Sequence, residues 1–377
     1  MTVTTFADQL RDISLKVILS NQAANGAYPA CPTMPDYQFS WFRDGAYIAY
    51  ALTLDGETGS AQYSGSMGAQ WESAFRFYNW AAARINERAE RLERAIAATE
   101  RGETPKMSDV LNARYHLDGL EGPDEWPEFQ LDGPGTWLWS LREYVERVGM
   151  RPLPSVWATA IELTARYLAA MWTVPCYDCW EERGSEVHIS TLAAIHAGLV
   201  AAEALLPELN FASARADIRA FVERHGLTPA GELAKSVGLD MVDANLVAVA
   251  VPHRLYAPDD PLMVRTVARI ERELHARPGG VHRHLADVYY GGGAWVLLSL
   301  HLAWYYLEAG NVNRAREIVA WVETQADANG NLPEQVISSM LAPDHYAPWV
   351  AERGEIANPL LWTHAEYLIL RNKLGKQ

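Results

Sequence analysis

Two glutamates 153 positions apart (334 − 181) stand in settings suited to proton transfer on a neutral substrate. Glu181 lies in Cys179-Trp180-Glu181-Glu182-Arg183, and Glu334 lies in Leu332-Pro333-Glu334-Gln335. Hydrolysis of a glycosidic bond needs such a pair. One carboxylic acid protonates the leaving oxygen, and one carboxylate activates a water on the opposite face of the sugar. Each proton transfer contributes about 10²–10⁴ in rate, or roughly 3–5 kcal/mol of barrier. Trp180 beside Glu181 removes water from it and Glu182 adds like charge; both raise a carboxyl pKa, as an acid requires. Glu334 follows the turn signal Asn329-Gly330-Asn331, and Gln335 is placed to help hold a water. Taken singly, each segment has a plainer reading. Glu181-Glu182-Arg183 is also a solvated charge run, and Pro333-Glu334 also a helix start with an acid on the dipole.

The stretch from Pro35 to Asp44 is dense in groups that bind sugars. Arg43 and Asp44 offer a donor and an acceptor to two adjacent hydroxyls, although Asp44 also suits the cap of a following helix. The chain holds 14 Trp and 17 Tyr, residues with a flat apolar face and a polar tip. Most of them are expected in a helical core, and some on a sugar.

Charge and composition exclude other classes. A net charge of −15 disfavours nucleic acid and anionic membrane as partners. No Walker or dinucleotide fingerprint is present, and Gly291-Gly292-Gly293 is a weak phosphate candidate. Cys176 and Cys179 form a C-x-x-C without further ligands at zinc spacing, and three cysteines in all fit a reducing compartment. His282 and His284 read as hydrogen-bonding histidines before they read as a metal pair. No cofactor and no metal are expected. Residues 1–8 carry neither a basic start nor an apolar run, so a cytoplasmic location is expected. The apolar stretch Gly291 to Leu307 is short for a membrane span. Oligomeric state is not legible.

These residues must be positioned by helices. Apolar stripes recur at helical spacing: Phe6, Leu10, Ile13, Val17; Ile85, Ala89, Leu92, Ile96; Ala315, Ile318, Val319, Val322. Ser155 is a candidate cap for a helix reaching about Trp172. Further helices are expected near 44–54, 68–84, 135–148, 190–205, 212–223, 243–250, 260–275, 294–308 and 359–371. Strand patterns are nearly absent. Some helices are amphipathic and others apolar all round, which fits a double-layered ring with buried inner helices. An irregular bundle gives the same pattern. No linker-like tract divides the chain, so residues 1–377 are expected to form one domain.

Six segments, in order from about residue 28 to 370, resemble glycoside hydrolase family 15, which includes glucoamylases, glucodextranases and isomaltose glucohydrolases. They are Pro35-Asp36-Tyr37 with Trp41-x-Arg43-Asp44; Trp126 followed by Leu131-Asp132-Gly133-Pro134; and Tyr177-Asp178-x-Trp180-Glu181-Glu182. Then come Arg283-x3-Asp287-x-Tyr289-Tyr290-x-Gly292-x2-Trp295, Pro333-Glu334-Gln335 and Leu361-Trp362-Thr363-His364-Ala365. The resemblance implies an all-α (α/α)6 barrel and an inverting exo-α-glucosidase. It implies Glu181 as general acid and Glu334 as base. It places Arg43 and Asp44 on the non-reducing glucose, Tyr37 near the developing oxocarbenium ion, and Trp126, Glu182 and Arg283 toward the leaving side. Trp41, Trp180 and Trp362 belong to the same substrate-binding motifs. Two departures stand out: Gly293-Ala294 replaces the family's frequent Asn-Pro, and the early first motif leaves no room for an N-terminal β-sandwich. The expected substrate is a small neutral glucosaccharide, isomaltose or a short α-1,6 isomalto-oligosaccharide first. Trehalase or α-1,4 glucoamylase-type activity, or a catalytically silent sugar-binding barrel, are the alternatives.

Overall fold

The computed structural model describes residues 5–58, 68–122, 125–276 and 279–376, and its described helices number thirteen. In chain order they are α1 (Phe6–Asn21), α2 (Phe42–Thr58), α3 (Ala69–Asn86), α4 (Ala89–Glu100), α5 (Asp132–Val148), α6 (Ser155–Met171) and α7 (Ile189–Leu205). There follow α8 (Ala212–His225), α9 (Pro261–Leu274), α10 (Val296–Glu308), α11 (Val312–Glu323), α12 (Tyr346–Arg353) and α13 (Leu361–Leu374).

Neighbour relations close a ring. α2 packs on α5, α5 on α7, α7 on the 3-10 turn Ala244–Val249, that turn on α10, α10 on α13, and α13 back on α2. Around it, α1 packs on α13, α3 on α2, α6 on α7, α8 on α7, α9 on the 3-10 turn and α11 on α10. This is an (α/α)6 barrel. The inner layer is apolar all round because it is covered on every side: α7 buries twelve of its residues from Ile189 to Leu205, and α10 buries eleven from Val296 to Leu307. Outer helices such as α9 and α11 bury only one stripe. The α5–α7 crossing is close because both helices present glycine: a Cβ on Gly135 would stand 2.5 Å from the Ala194 carbonyl oxygen.

Several expectations are corrected. The fourth inner element is not an α-helix over 243–250 but a single 3-10 segment, and Pro252, which has no N–H to donate, follows it. The stripe from Ile85 to Ile96 crosses a break at Glu87 and Arg88, where α3 ends and α4 begins. Ser155 is the first residue of α6, with Pro154 at the cap and no side-chain capping bond. Two short antiparallel ribbons also form: Phe39–Trp41 (β1) with Arg114–His116 (β2), and Ala294–Trp295 (β3) with Gln335–Val336 (β4). β1 runs directly into α2, and β3 into α10. Among the described residues no helix is long and apolar enough to cross a membrane.

Candidate active site

The N-terminal ends of the inner elements converge on a cavity of about 440 Å³. Of the residues marked from sequence, Glu181, Glu334, Tyr37, Trp41, Arg43, Asp44, Trp126, Trp180, Glu182, Arg283 and Trp362 line it. Buried Arg43, Leu297 and Trp362 line its inner part, while half-buried Asp36 and exposed Glu125 and Arg353 stand among its outer lining.

Glu181 sits on the turn before α7 with φ 67°, a left-handed conformation unusual outside glycine. Its Oε1 accepts from Trp126 Nε1 at 2.9 Å and from Trp41 Nε1 at 3.0 Å. Burial pushes its pKa up, against the opposing effect of these donors and of Arg43. The expected causes were partly different. The Trp180 indole is anchored away from the acid, its Nε1 donating to Asp243 Oδ2 at 2.9 Å. Glu182 has partners of its own, accepting from Arg283 Nη2 at 2.8 Å and pairing with His284 Nε2 at 3.0 Å. These groups and Lys235 hold it well below the usual carboxylate range in spite of its burial.

Glu334 also lines the cavity, just before β4 rather than at a helix start. It is 5 % exposed. Tyr37 OH donates to its Oε1 at 3.2 Å, and its Oε2 has no protein partner. Burial pushes its pKa up to about 8, with Tyr37 and Arg283 pulling the other way. Gln335 does not face the cavity. Its Oε1 accepts from the Gly293 N–H at 3.0 Å and its Nε2 donates to the Tyr289 carbonyl at 3.3 Å, so it ties down the glycine turn.

Arg43 and Asp44 open the buried side of the cavity, but they are not a close pair. Arg43 Nε lies 3.7 Å from Asp44 Oδ2, while Arg43 Nη1 donates to Asp132 at 2.9 Å and Gln130 at 3.0 Å. Burial, partly offset by Arg43, raises Asp44 to about 6. Trp362 stacks on Tyr47 with ring centroids 4.9 Å apart. Trp126 has a guanidinium on its ring, Arg114 Cζ lying 3.7 Å from the centroid. The same indole grips Glu181 through its N–H.

His282 Nδ1 lies 3.1 Å from the Gly292 carbonyl oxygen, and His284 holds Glu182. Among the described residues no cluster of three or more His, Cys, Asp or Glu is arranged to hold a metal. Four contributors escaped sequence reasoning. Tyr289 OH lies 2.9 Å from Tyr37 OH, Gln130 and Asp132 anchor Arg43, and Trp349 of α12 lines the cavity beside Tyr289. Tyr289 and Asp132 lay within recognisable motifs; Trp349 had no signal.

Residues 9–348 match the family described as glycosyl hydrolases family 15. The chain belongs to that family. It is a glycoside hydrolase, and its barrel is the family's fold. Among its family 15 relatives, the isomaltose glucohydrolase of Kribbella flavida is 40% identical over 366 residues, covering 95% of this chain and 91% of that protein. A glycosidase variant solved in complex with glucose superposes with TM-score 0.90 at 40% identity, covering 98% of this chain and 97% of the other. The glucoamylase of Saccharomycopsis fibuligera shares the fold, with TM-score 0.77 at 14% identity over 98% of this chain and 95% of that one.

Proposed function

We propose that this family 15 enzyme is an inverting exo-α-glucosidase acting on isomaltose and short α-1,6 isomalto-oligosaccharides, with Glu181 as general acid and Glu334 as general base. The observation that carries the assignment is how the two carboxyls are separated. Glu334 is held by Tyr37, Tyr37 meets Trp41 edge-on with centroids 5.7 Å apart, and Trp41 holds Glu181. Acid and base are thus linked through two aromatic side chains of the cavity lining. They share no hydrogen bond, and the arrangement suits the wider spacing that admits a water.

In the reaction Glu181 gives its proton to the glycosidic oxygen as the C1–O bond breaks. Water adds to C1 from the opposite face and passes a proton to Glu334 Oε2, the oxygen without a protein partner. The first sugar product is β-glucose. Arg43 and Asp44 bind hydroxyls of the non-reducing glucose, Trp362 lies beneath it, and Tyr37 faces the developing positive charge. Glu182 and Arg283 contact the leaving sugar, whose side also bears Trp126 and Trp180. A buried inner end and an exposed outer one support attack at a chain end. The Kribbella flavida relative supports isomaltose as substrate.

Residues 1–377 are proposed to act as one catalytic unit, since the inner ring needs both α2 and α13 and the buried core runs from Leu10 to Leu370. The three cysteines are buried and unpaired, which supports a cytoplasmic setting.

The test is a comparison of kcat/KM on isomaltose, maltose, kojibiose, nigerose and trehalose, with NMR of fresh product. Isomaltose should lead and β-glucose should appear first. Faster trehalose or maltose cleavage would overturn the substrate, and initial α-glucose the stereochemistry. Glu181→Gln and Glu334→Ala should each lower isomaltose turnover by about 10²–10⁴ with folding intact; near-native turnover in either would remove that residue from its role.

A further inference from the structure

Lys235 does not line the cavity, yet it is the hub of the turn that carries Glu181. Its side chain is 2% exposed, and its Nζ lies 2.7 Å from Asp178 Oδ2, 2.7 Å from Asp243 Oδ2 and 3.6 Å from Glu182 Oε2. We infer that Lys235 is a positioning residue for the general acid, holding the 178–182 turn in the shape that aims Glu181 at the glycosidic oxygen. The inference rests on the reading of Glu181 as that acid.

Two of the three carboxylates, Asp178 and Asp243, have separate tasks in holding the turn. Asp178 Oδ1 accepts the backbone N–H of Trp180 at 3.0 Å and of Glu182 at 2.9 Å. The Glu181 N–H donates to the Asp178 carbonyl at 3.0 Å, and the Asp178 N–H to the Glu182 carbonyl at 3.1 Å. Asp243 takes the Trp180 indole N–H at 2.9 Å. Both sequence neighbours of Glu181 are therefore tied to groups that Lys235 holds. Glu181 itself occupies the left-handed region, which a residue with a Cβ keeps only where its surroundings over-determine it.

The hub is itself anchored. The Lys235 N–H donates to the Met241 carbonyl at 2.8 Å, and the Ile189 N–H at the start of α7 donates to the Lys235 carbonyl at 3.3 Å. Burial alone would discharge a lysine, but Asp243, Asp178 and Glu182 outweigh it and keep the ammonium charged. In return, burial that would protonate Asp178 is overcome chiefly by Lys235, and its carboxyl stays below the usual range. Without the cation, Asp178 and Asp243 would face each other as buried like charges, and the turn would lose the carboxylate around which it winds.

The experiment compares two substrates that differ in their need for an acid. Isomaltose loses an alkoxide-like sugar and requires the proton of Glu181. α-Glucosyl fluoride loses fluoride, the anion of a far stronger acid, and needs only water and Glu334. Lys235→Met keeps the length and removes the charge. Its kcat on isomaltose should fall about 10- to 100-fold with KM little changed, and its rate on the fluoride should fall at least about tenfold less. Lys235→Arg, which keeps the charge, should recover part of the isomaltose rate. Equal losses on both substrates would mark Lys235 as merely structural, and an unchanged isomaltose rate would dismiss it. If Lys235→Met does not fold, the isosteric Asp243→Asn loosens the same hub and is held to the same ratio. Glu181→Gln sets the benchmark. If it loses the fluoride as severely as isomaltose, the acid assignment fails and the role of Lys235 falls with it; if it spares the fluoride, the lysine is judged alone.

Discussion

The Tyr37 hydroxyl donates to Glu334 Oε1 at 3.2 Å, while its own oxygen lies 2.9 Å from the hydroxyl of Tyr289. Burial raises Glu334 to about 8, and Tyr37 is the first of the groups that oppose it. A general base must be ionised, so the rate should climb with pH as Glu334 loses its proton. The acid limb of kcat/KM is expected well above the ordinary glutamate range. Tyr37→Phe removes the donor that favours the carboxylate and moves the limb to higher pH. Loss of a hydrogen bond to a charged group is worth about 1.5–3 kcal/mol, so kcat/KM at pH 6 should drop at least about tenfold. An unmoved limb would separate Tyr37 from the base.

Trp126 and Trp41 oppose the upward push of burial on Glu181 from the other side of the pair. Their indole N–H groups favour its charged form, and burial disfavours it. Trp126→Phe keeps an aromatic face under Arg114 and deletes one donor. Glu181 should then hold its proton to higher pH, so the basic limb of the profile moves up. The acid, gripped by one fewer donor, should deliver its proton about 3- to 10-fold more slowly at the optimum. A pH series on the pure variant reads both effects, and a basic limb moving down would contradict the geometry.

The Gly135 crossing makes a prediction about the fold alone. Gly135→Ala places a Cβ 2.5 Å from the Ala194 carbonyl oxygen, a backbone atom that cannot swing aside. The α5–α7 contact must open, at a cost of about 1–3 kcal/mol. Differential scanning calorimetry should show a lower Tm. Because Asp132 opens α5 and anchors Arg43, turnover on isomaltose should fall as well. A variant as stable as the parent would show that the crossing has slack.

The sequence disclosed what depends on local pattern and missed what depends on meeting through space. Buried α7 and α10 were legible because an inner helix has no solvent face to mark with charge. The break at Arg88 was not, since its apolar stripe continues from α3 into α4 while the axis changes. α12 has Pro348 in its first turn and no buried residue, so neither period nor capping announced it. The residues of the site were legible through their motifs, but their partners were not. Trp41 meets Glu181 across 140 positions and Trp126 across 55, and nothing beside Glu181 points to either. Adjacent Trp180 and Glu182 drew the inference instead, and both turned out to serve the Lys235 hub and Arg283.

Glu366 lies wholly buried one turn along α13 from Trp362, whose Nε1 donates to it at 3.1 Å, and His301 Nε2 lies 3.3 Å away. Burial pushes Glu366 up to about 8 and His301 down to about 3, so both are uncharged near neutrality. A carboxyl whose folded pKa exceeds its unfolded value binds more protons folded than unfolded. Its contribution is complete below the unfolded pKa of about 4.5 and is lost as pH rises toward 8. Glu366→Gln keeps the shape and an acceptor for Trp362 and removes the titration. Glu334 has the same sign, so the parent enzyme and the variant should both lose stability on the alkaline side, the variant less steeply. Thermal melts at pH 5 and pH 8 measure the difference. The fall in Tm between them should be smaller for Glu366→Gln than for the parent, and an equal fall would place the charge of Glu366 elsewhere in the titration.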